Sequence, residues 1–381
     1  MSQIVTRRLI ALAAGGSGGH MFPAAALAEA LARRGYALTL ITDRRGQAFT
    51  VAGGEVEIHR IRASGLGDRS LTRKLLGVIE LGFGLIEARQ LLKRLRPAAI
   101  AGFGGYASVP TLLAASQLGI PTVLHEQNAV LGRANRLLAS HATRLATSFE
   151  AVSQIKQADR GRVVMTGNPV RDAVARVSQA PYPAPAADGT LSLLITGGSQ
   201  GARVFGRIVP QAVALLPESV RRRLSIVQQC RPEDIEAARD IYLGLGVEAE
   251  LSPFFADLPE RLARAQLVIC RSGGSTVAEL TAAGRPSILV PYPYHSDNQQ
   301  GANAQALENA GAAWLMPEAA FTAQALAARL EPLLVVPARL VEMAEKARAL
   351  GRLDAAERLA GLVLEIAPAN GGHGGIREVA A

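Results

Sequence analysis

A continuous apolar run, RLIALAA from Arg8 to Ala14, ends in the glycines GGSGGH (15–20). FPAAALAEALARRG follows, with apolar residues recurring at helical spacing. This reads as strand, glycine turn and helix. The same grammar starts again 182 residues later, counted from Ser17 to Ser199, in LSLLITGGSQGARVFGRIVPQAVALL (191–216), where the loop is GGSQGA (197–202). Such a chain is constrained to two α/β halves of like plan, each opening on a glycine loop.

The segments between keep the alternation. Gly35 stops the first helix and YALTLIT supplies a second strand ending at Asp43; AAIAGFGG (98–105), a helix over 108–118 and IPTVLHEQN (120–128) follow. The second half continues with LSIVQQC (224–230), AQLVICRSGGSTVAEL (265–280) and RPSILVPYP (285–293). Length agrees, since 381 residues exceed most single cores and suffice for two. PYPAPAADG (181–189) can continue neither a helix nor a central strand and reads as the linker. The expected division is 1–180 and 190–366, two Rossmann-like, doubly wound parallel-sheet domains facing a cleft, with the last helix a candidate to pack back on the first domain. Ligands of such sheets bind at the carboxyl ends of strands, where both glycine loops lie. The tail APANGGHGGIREVAA reads as frayed.

Charge divides unevenly. Residues 1–172 hold 22 Lys and Arg against 11 Asp and Glu, so of the net +9 the first part carries +11 and the remainder −2. The asymmetry points to an anionic partner or to ordinary solubilising charge. Residues 71–96, LTRKLLGVIELGFGLIEARQLLKRLR, place Leu75, Val78, Ile79, Phe83 and Ile86 at helical spacing among Arg73, Lys74, Arg89, Lys93, Arg94 and Arg96. That pattern suits an anionic bilayer interface, or a helix with one face in the core. Arg7-Arg8 and LIALAA imitate a signal peptide, but the apolar run is too short, and no segment approaches a spanning helix. Cys230 and Cys270 sit in or beside apolar strands as reduced thiols, which indicates a reducing cytosol. Basic residues are not interleaved with aromatics, which argues against nucleic acid.

Chemistry concentrates at the strand ends. A glycine loop opening a helix gathers backbone N–H groups and the positive end of the helix dipole at one point, which suits a phosphate; tight turns without a ligand are the alternative. In CRSGGSTVAEL (270–280), Glu279 stands about one helical turn inside, where it can accept two ribose hydroxyls or complement the helix dipole. In PYPYHSDNQQ (291–300), neutral amides crowd a strand end, and amides both donate and accept as sugar hydroxyls do. No Asp-x-Asp pair and no cluster with metal-ligand spacing occurs, so helix-end amides would stabilise a leaving pyrophosphate.

Taken in order, GGSGGH, GFGGYAS, HEQNAVLGRANR, TGNPVR, GGSQGA, CRSGGSTVAE and DNQQ resemble the MurG-type glycosyltransferases of bacterial peptidoglycan assembly, over residues 8–350. The resemblance implies a GT-B fold, a UDP-N-acetylglucosamine donor, an undecaprenyl-pyrophosphoryl-MurNAc-pentapeptide acceptor, no cofactor, and a peripheral place on the cytoplasmic face of the inner membrane. It puts Ser199 on donor phosphate, Arg171 near the nucleotide and the Phe255 backbone on uracil. Gly274, Ser275 and Thr276 would line phosphate and ribose with Glu279 on the ribose hydroxyls, while Asn128, Gln299 and Gln300 would hold the GlcNAc. The family pattern carries alanine and leucine where this chain has Gly274-Ser275. Ser17, Gly18 and Gly19 would meet donor sugar or acceptor pyrophosphate.

The family inverts the anomeric centre, so a base must reach the acceptor C4 hydroxyl within about 3 Å or through one water. His20, ending the first glycine loop, is the first candidate, and His125 and Glu126 are the others. His20 as a helix cap or phosphate donor is the alternative. A nicotinamide-dependent oxidoreductase using Asp43 leaves the second loop and DNQQ unexplained. A UDP-GlcNAc epimerase on the same fold would need more carboxylates and no lipid.

Overall fold

The computed structural model describes residues 7–44, 46, 50–51, 54–63, 71–186, 188–198, 201–294, 297–368 and 376–377. They form two compact units, residues 1–171 with 353–381 and residues 172–352.

In the first unit the strands are β1 (Arg7–Ala13), β2 (Ala37–Thr42), a small hairpin of β3 (Thr50–Val51) and β4 (Gly54–Glu55), then β5 (Glu57–Arg60), β6 (Ala99–Gly102), β7 (Thr122–Glu126), β8 (Arg144–Thr147) and β9 (Val163–Met165). The main sheet runs β5-β2-β1-β6-β7-β8-β9, all parallel, with Ile376–Arg377 added antiparallel to β1. The helices are α1 (Gly18–Arg33), α2 (Leu71–Leu95), α3 (Ser108–Gln117) and α4 (Arg133–Leu138). The strands are short apolar runs because both faces are covered. Ile10 and Leu12 of β1 enter one core with α1, while Ala11 and Ala13 enter the other with α2 and α3.

The second unit opens with α5 (Asp172–Val177) and β10 (Leu191–Thr196). It continues through α6 (Arg203–Ala214), α7 (Glu218–Arg221), β11 (Leu224–Gln229), α8 (Ile235–Gly244), β12 (Glu248–Ser252), α9 (Leu258–Arg264), β13 (Leu267–Cys270) and α10 (Gly274–Ala283). It closes with β14 (Ser287–Leu289), α11 (Gln299–Asn309), β15 (Ala313–Leu315), α12 (Ala323–Val335) and α13 (Pro337–Leu350). Its sheet runs β12-β11-β10-β13-β14-β15, all parallel. In each sheet the order reverses beside the opening strand, between β1 and β6 and between β10 and β13. Crevices at the carboxyl ends of open α/β sheets form at such points.

The chain changes unit at Arg171/Asp172 and again at Arg352/Leu353, not within 181–189. The proline-rich segment is instead fastened to the second unit. Tyr182 Oη donates to the Gln266 carbonyl at 2.8 Å, Gln266 Nε2 donates to Pro183 O at 3.0 Å, and Arg348 donates to Ser178 O and Ala180 O, each at 2.9 Å. The last helix, α14 (Ala355–Ile366), belongs to the first unit and buries Leu359, Leu362 and Val363 in the core shared with α1. Glu357 pairs there with Arg33 at 3.0 Å and Arg34 at 2.7 Å.

Candidate active site

In the first unit, the loop leaving β1 crosses the loop leaving β6. Phe103 N donates to Ala13 O at 2.8 Å and Gly15 N to Gly104 O at 3.3 Å. The crossing requires glycine: Gly105 has φ +74°, and a Cβ there would stand 3.2 Å from Gly15 Cα. His20, in the first turn of α1, lays its ring against this crossing. Its Nδ1 lies 2.8 Å from Ser17 Oγ, and the side chain is half-buried. Ser17, Gly18 and Gly19 form the amino end of α1. Phe22 packs over Gly18, and the Arg171 guanidinium lies 4.7 Å from the Phe22 ring centroid. Arg171 therefore stands beside the first glycine loop of its own unit.

His125 and Glu126 differ from what a base requires. His125 is 0% exposed; its Nε2–H donates to Gly167 O at 3.0 Å, and its Nδ1 accepts from Gln127 Nε2 at 3.0 Å. Burial lowers its pKa to about 4, against the opposing pull of the Gly167 carbonyl. Glu126 is 3% exposed. One of its oxygens accepts from Asn128 N at 3.0 Å and Asn128 Nδ2 at 3.1 Å, and the other from Gly132 N and Asn135 Nδ2, each at 2.8 Å. Burial raises the pKa of this carboxyl above its ordinary value, against those four donors. Proton abstraction from a ligand needs a lone pair facing the ligand. In both residues the ring nitrogens or carboxylate oxygens are engaged within the unit, so they are supports, and Glu126 is what holds Asn128.

In the second unit, Gly197 and Gly198 leave β10, and the Gly201 N–H donates to Gly198 O at 3.0 Å. A Cβ on Gly197 would collide with Ala202 N. Gln229, at the end of β11, braces the loop: its Oε1 accepts from Gly197 N and Thr196 Oγ1, and its Nε2 donates to Gly198 O and Pro253 O, each at 3.0 Å. Ser199 lies outside the described residues.

The turn after β13 places Gly274, Ser275 and Thr276 in the first turn of α10, where N–H groups have no helical acceptor. Ser275 Oγ is buried without a hydrogen-bond partner among the described residues. Thr276 and Glu279 line a small pocket with Thr196, Leu258, Pro259 and Leu262. Phe255 turns inward beneath the Arg261 guanidinium, 4.2 Å from its ring centroid, and Phe254 beside it faces solvent. Gln299 and Gln300 begin α11, half-buried. Ser272 Oγ donates to Gln300 O at 2.8 Å, and Tyr292 N donates to Gln300 Oε1 at 2.9 Å.

Helix α2 has two apolar faces. Ala88, Leu92 and Leu95 are buried, while Val78, Ile79, Phe83 and Ile86 are 56%, 46%, 50% and 55% exposed. Leu75, Arg73 and Lys74 carry side chains outside the described set. Arg62 lies 5.5 Å from the Phe83 ring centroid, and Arg89, Lys93 and Arg94 are exposed further along. Among the described residues no helix is long and apolar enough to cross a membrane, and no group of His, Cys, Asp and Glu could hold a metal ion.

Residues 10–147 match the glycosyltransferase family 28 N-terminal domain and residues 192–359 the glycosyltransferase family 28 C-terminal domain. The chain belongs to glycosyltransferase family 28. Over 364 residues, 96% of this chain and 98% of the relative, it is 56% identical to the UDP-N-acetylglucosamine--N-acetylmuramyl-(pentapeptide) pyrophosphoryl-undecaprenol N-acetylglucosamine transferase of Paramagnetospirillum magneticum. The transferase of the same name from Rhodospirillum centenum is 57% identical over 364 residues, 96% of each chain. The crystal structure of Acinetobacter baumannii MurG superposes with a TM-score of 0.74 at 29% identity, covering 94% of this chain and 99% of that one. A UDP-GlcNAc 2-epimerase from Neisseria meningitidis shares the fold alone, with a TM-score of 0.62 at 14% identity over 94% and 99% of the two chains.

The second glycine loop and the glutamine pair, which the oxidoreductase reading left over, both lie within the stretch that matches the family 28 C-terminal domain. Within each unit the expected residues gather at strand ends: Ser17 and His20 with the β1–β6 crossing, and Thr276, Glu279, Gln299 and Gln300 around β13 and β14. The residues that hold them in place went unread in the sequence. Gln127 donates to Phe103 O at 3.0 Å, Asn135 ties His125 O to Glu126, and Asn303 Nδ2 donates to Ser272 O at 2.9 Å. Gln127, like Gln229, carries the signal of a polar amide at the end of an apolar strand, as in HEQ and VQQ, whereas Asn135 and Asn303 stand inside α4 and α11.

Proposed function

We propose that the protein transfers N-acetylglucosamine from UDP-GlcNAc to the C4 hydroxyl of MurNAc in undecaprenyl-pyrophosphoryl-MurNAc-pentapeptide, inverting the anomeric centre. The similarity to two transferases named for that reaction, across 96% of the chain, carries the reading.

On the donor side, the amides opening α10 and the second glycine loop with Ser199 meet the phosphates, and the helix dipole stabilises the departing UDP. Ser275 Oγ supplies one of these contacts, which agrees with its lack of a hydrogen-bond partner among the described residues. Glu279 accepts the ribose hydroxyls beside Thr276, the Phe255 backbone meets uracil, and Gln299 and Gln300 hold the sugar. On the acceptor side, Ser17 to Gly19 at the amino end of α1 and Arg171 attract the pyrophosphate. Asn128, held by Glu126, contributes to the sugar contacts. His20 takes the proton of the C4 hydroxyl as the bond to the anomeric carbon forms and UDP leaves. Ser17 Oγ, 2.8 Å from Nδ1, orients the ring for that step.

The exposed face of α2 and its neighbouring cations rest on the anionic cytoplasmic leaflet of the inner membrane, where the lipid acceptor is held. The product feeds cell-wall biogenesis, and through it cell shape and division. Radiolabelled UDP-GlcNAc incubated with the lipid-linked MurNAc-pentapeptide should give a labelled disaccharide lipid. His20→Ala should lower kcat by roughly 100-fold. Epimerised sugar nucleotide without acceptor, and no lipid product, would sink the proposal.

A further inference from the structure

Arg271 follows β13 directly and opens the turn that carries Ser272 and Gly273. Its side chain is only 12% exposed. The Nη1 group donates to the carbonyls of Val290 at 3.1 Å and Pro291 at 3.2 Å, and Nη2 pairs with Glu318 Oε2 at 2.5 Å. The guanidinium lies 5.3 Å from the Phe205 ring centroid and 5.5 Å from that of Tyr292. One planar cation therefore fixes the backbone of Val290 and Pro291 and the ring of Tyr292. This use of both faces and edge is available to arginine and not to lysine.

What that segment holds is Gln300. The backbone N–H of Tyr292 can only donate, so the Gln300 atom 2.9 Å away is the carbonyl oxygen of its amide. Its backbone carbonyl is held by Ser272 Oγ, and Ser272 in turn by Asn303. With Oε1 occupied, the polar group left for a ligand is the NH2. Gln300 is thereby fixed as a donor; without the Tyr292 contact its amide could turn and present either end.

We infer that Arg271, clamped by Glu318, is a positioning residue that sets the amide of Gln300 as a hydrogen-bond donor to an accepting oxygen of the donor sugar. It acts through Pro291 and Tyr292 and touches neither nucleotide nor reacting atoms. The inference rests on the UDP-GlcNAc reading above and deepens it: Arg271 serves recognition of the sugar, not of UDP.

Isothermal titration of the full chain with UDP and with UDP-GlcNAc, and steady-state kinetics, test this in wild type, Arg271→Lys, Glu318→Gln, Gln300→Ala and Arg271→Lys/Gln300→Ala. Arg271→Lys should weaken UDP-GlcNAc by about tenfold, raise its KM in step, and leave UDP affinity within about twofold. Glu318→Gln should act in the same direction by about threefold, which keeps the test open should Arg271→Lys fail to fold. In the Gln300→Ala background the Arg271→Lys effect should shrink below about twofold. Equal losses for UDP and UDP-GlcNAc, an undiminished effect without Gln300, or unchanged sugar-nucleotide binding in Arg271→Lys would each overturn the inference while GlcNAc transfer by wild type stands. Wild type that binds no UDP-GlcNAc would remove both readings.

Discussion

Replacing Glu126 with glutamine separates a brace from a base. The carboxylate accepts four hydrogen bonds, from Asn128 N, Asn128 Nδ2, Gly132 N and Asn135 Nδ2. Glutamine has one oxygen. If that oxygen keeps the two Asn128 donors, its NH2 group faces the Gly132 N–H and the Asn135 NH2, donor against donor at positions now 2.8 Å apart. A buried donor left without an acceptor costs about 1–3 kcal/mol, so the two together cost roughly 2–6 kcal/mol. The neutral side chain escapes the burial penalty that raises the pKa of the glutamate, which offsets part of this. A net loss of about 2–4 kcal/mol is expected, or a fall in the unfolding midpoint of about 5–15 °C for a unit of this size. Thermal unfolding followed by calorimetry measures it. The freed Asn128 segment should lower kcat by about tenfold without removing the acidic limb of the pH–rate profile, because the base proposed above is His20. An unchanged midpoint, together with a loss of about 100-fold in kcat and of that limb, would refute the reasoning and return Glu126 to the role of base.

Other consequences follow from the same packing. His125 has a folded pKa near 4 against an ordinary 6.5, so the unfolded chain binds its proton first; stability is full above pH 6.5 and falls between 6.5 and 4, by about 3 kcal/mol at most, and His125→Gln should flatten that decline in urea titrations across pH. Gln229→Ala unfastens the second glycine loop, and KM for UDP-GlcNAc should rise about tenfold with acceptor KM unchanged; equal changes in both would contradict the assignment. Phe83→Glu with Ile86→Glu should abolish sedimentation with anionic vesicles while detergent-phase activity persists, since both side chains are about half exposed. A Cβ on Gly84 would collide with the Arg62 carbonyl, so Gly84→Ala should destabilise the first unit by about 1–3 kcal/mol in denaturant titration, although alanine is the better helix former.

The sequence disclosed what local physics writes locally. Doubly covered strands must be apolar on both faces, so LIALA and LVIC stood out, and the glycine loops that follow β1 and β10 marked the carboxyl ends of both sheets. The helix predicted over 108–118 is α3, Ser108–Gln117, and the stretch 71–96 is α2, Leu71–Leu95. What failed was the reading of residues whose partners are distant in the chain. Arg285, heading RPSILVPYP, drew no notice there, yet it is fully buried, donating to Leu262 O at 2.7 Å and Ala263 O at 2.8 Å at the end of α9. The segment 181–189 carries every local sign of a linker, and the residues that fasten this region to the second unit, Arg223, Gln266 and Arg348 among them, lie far along the chain.

The strand-end glutamines show why the braces escaped notice and why the chain uses them. Neighbouring parallel strands lie about 4.8 Å apart, a gap that a glutamine side chain spans with its amide still free to bond. Gln127, just beyond β7, reaches the carbonyl of Phe103 beside β6; Gln229, ending β11, reaches both Gly197 and Gly198 beside β10. Each steadies the loop that follows the adjacent strand. Glycine loops are needed for close approach and are flexible for the same reason. An amide that both donates and accepts can pin one without filling the space a ligand must enter. Shortening either glutamine to asparagine should therefore fail to rescue alanine at the same position, because the carboxamide would stop about one bond length short of the neighbouring loop. Rescue of UDP-GlcNAc affinity in Gln229→Asn would show that the amide, and not its reach, is what matters.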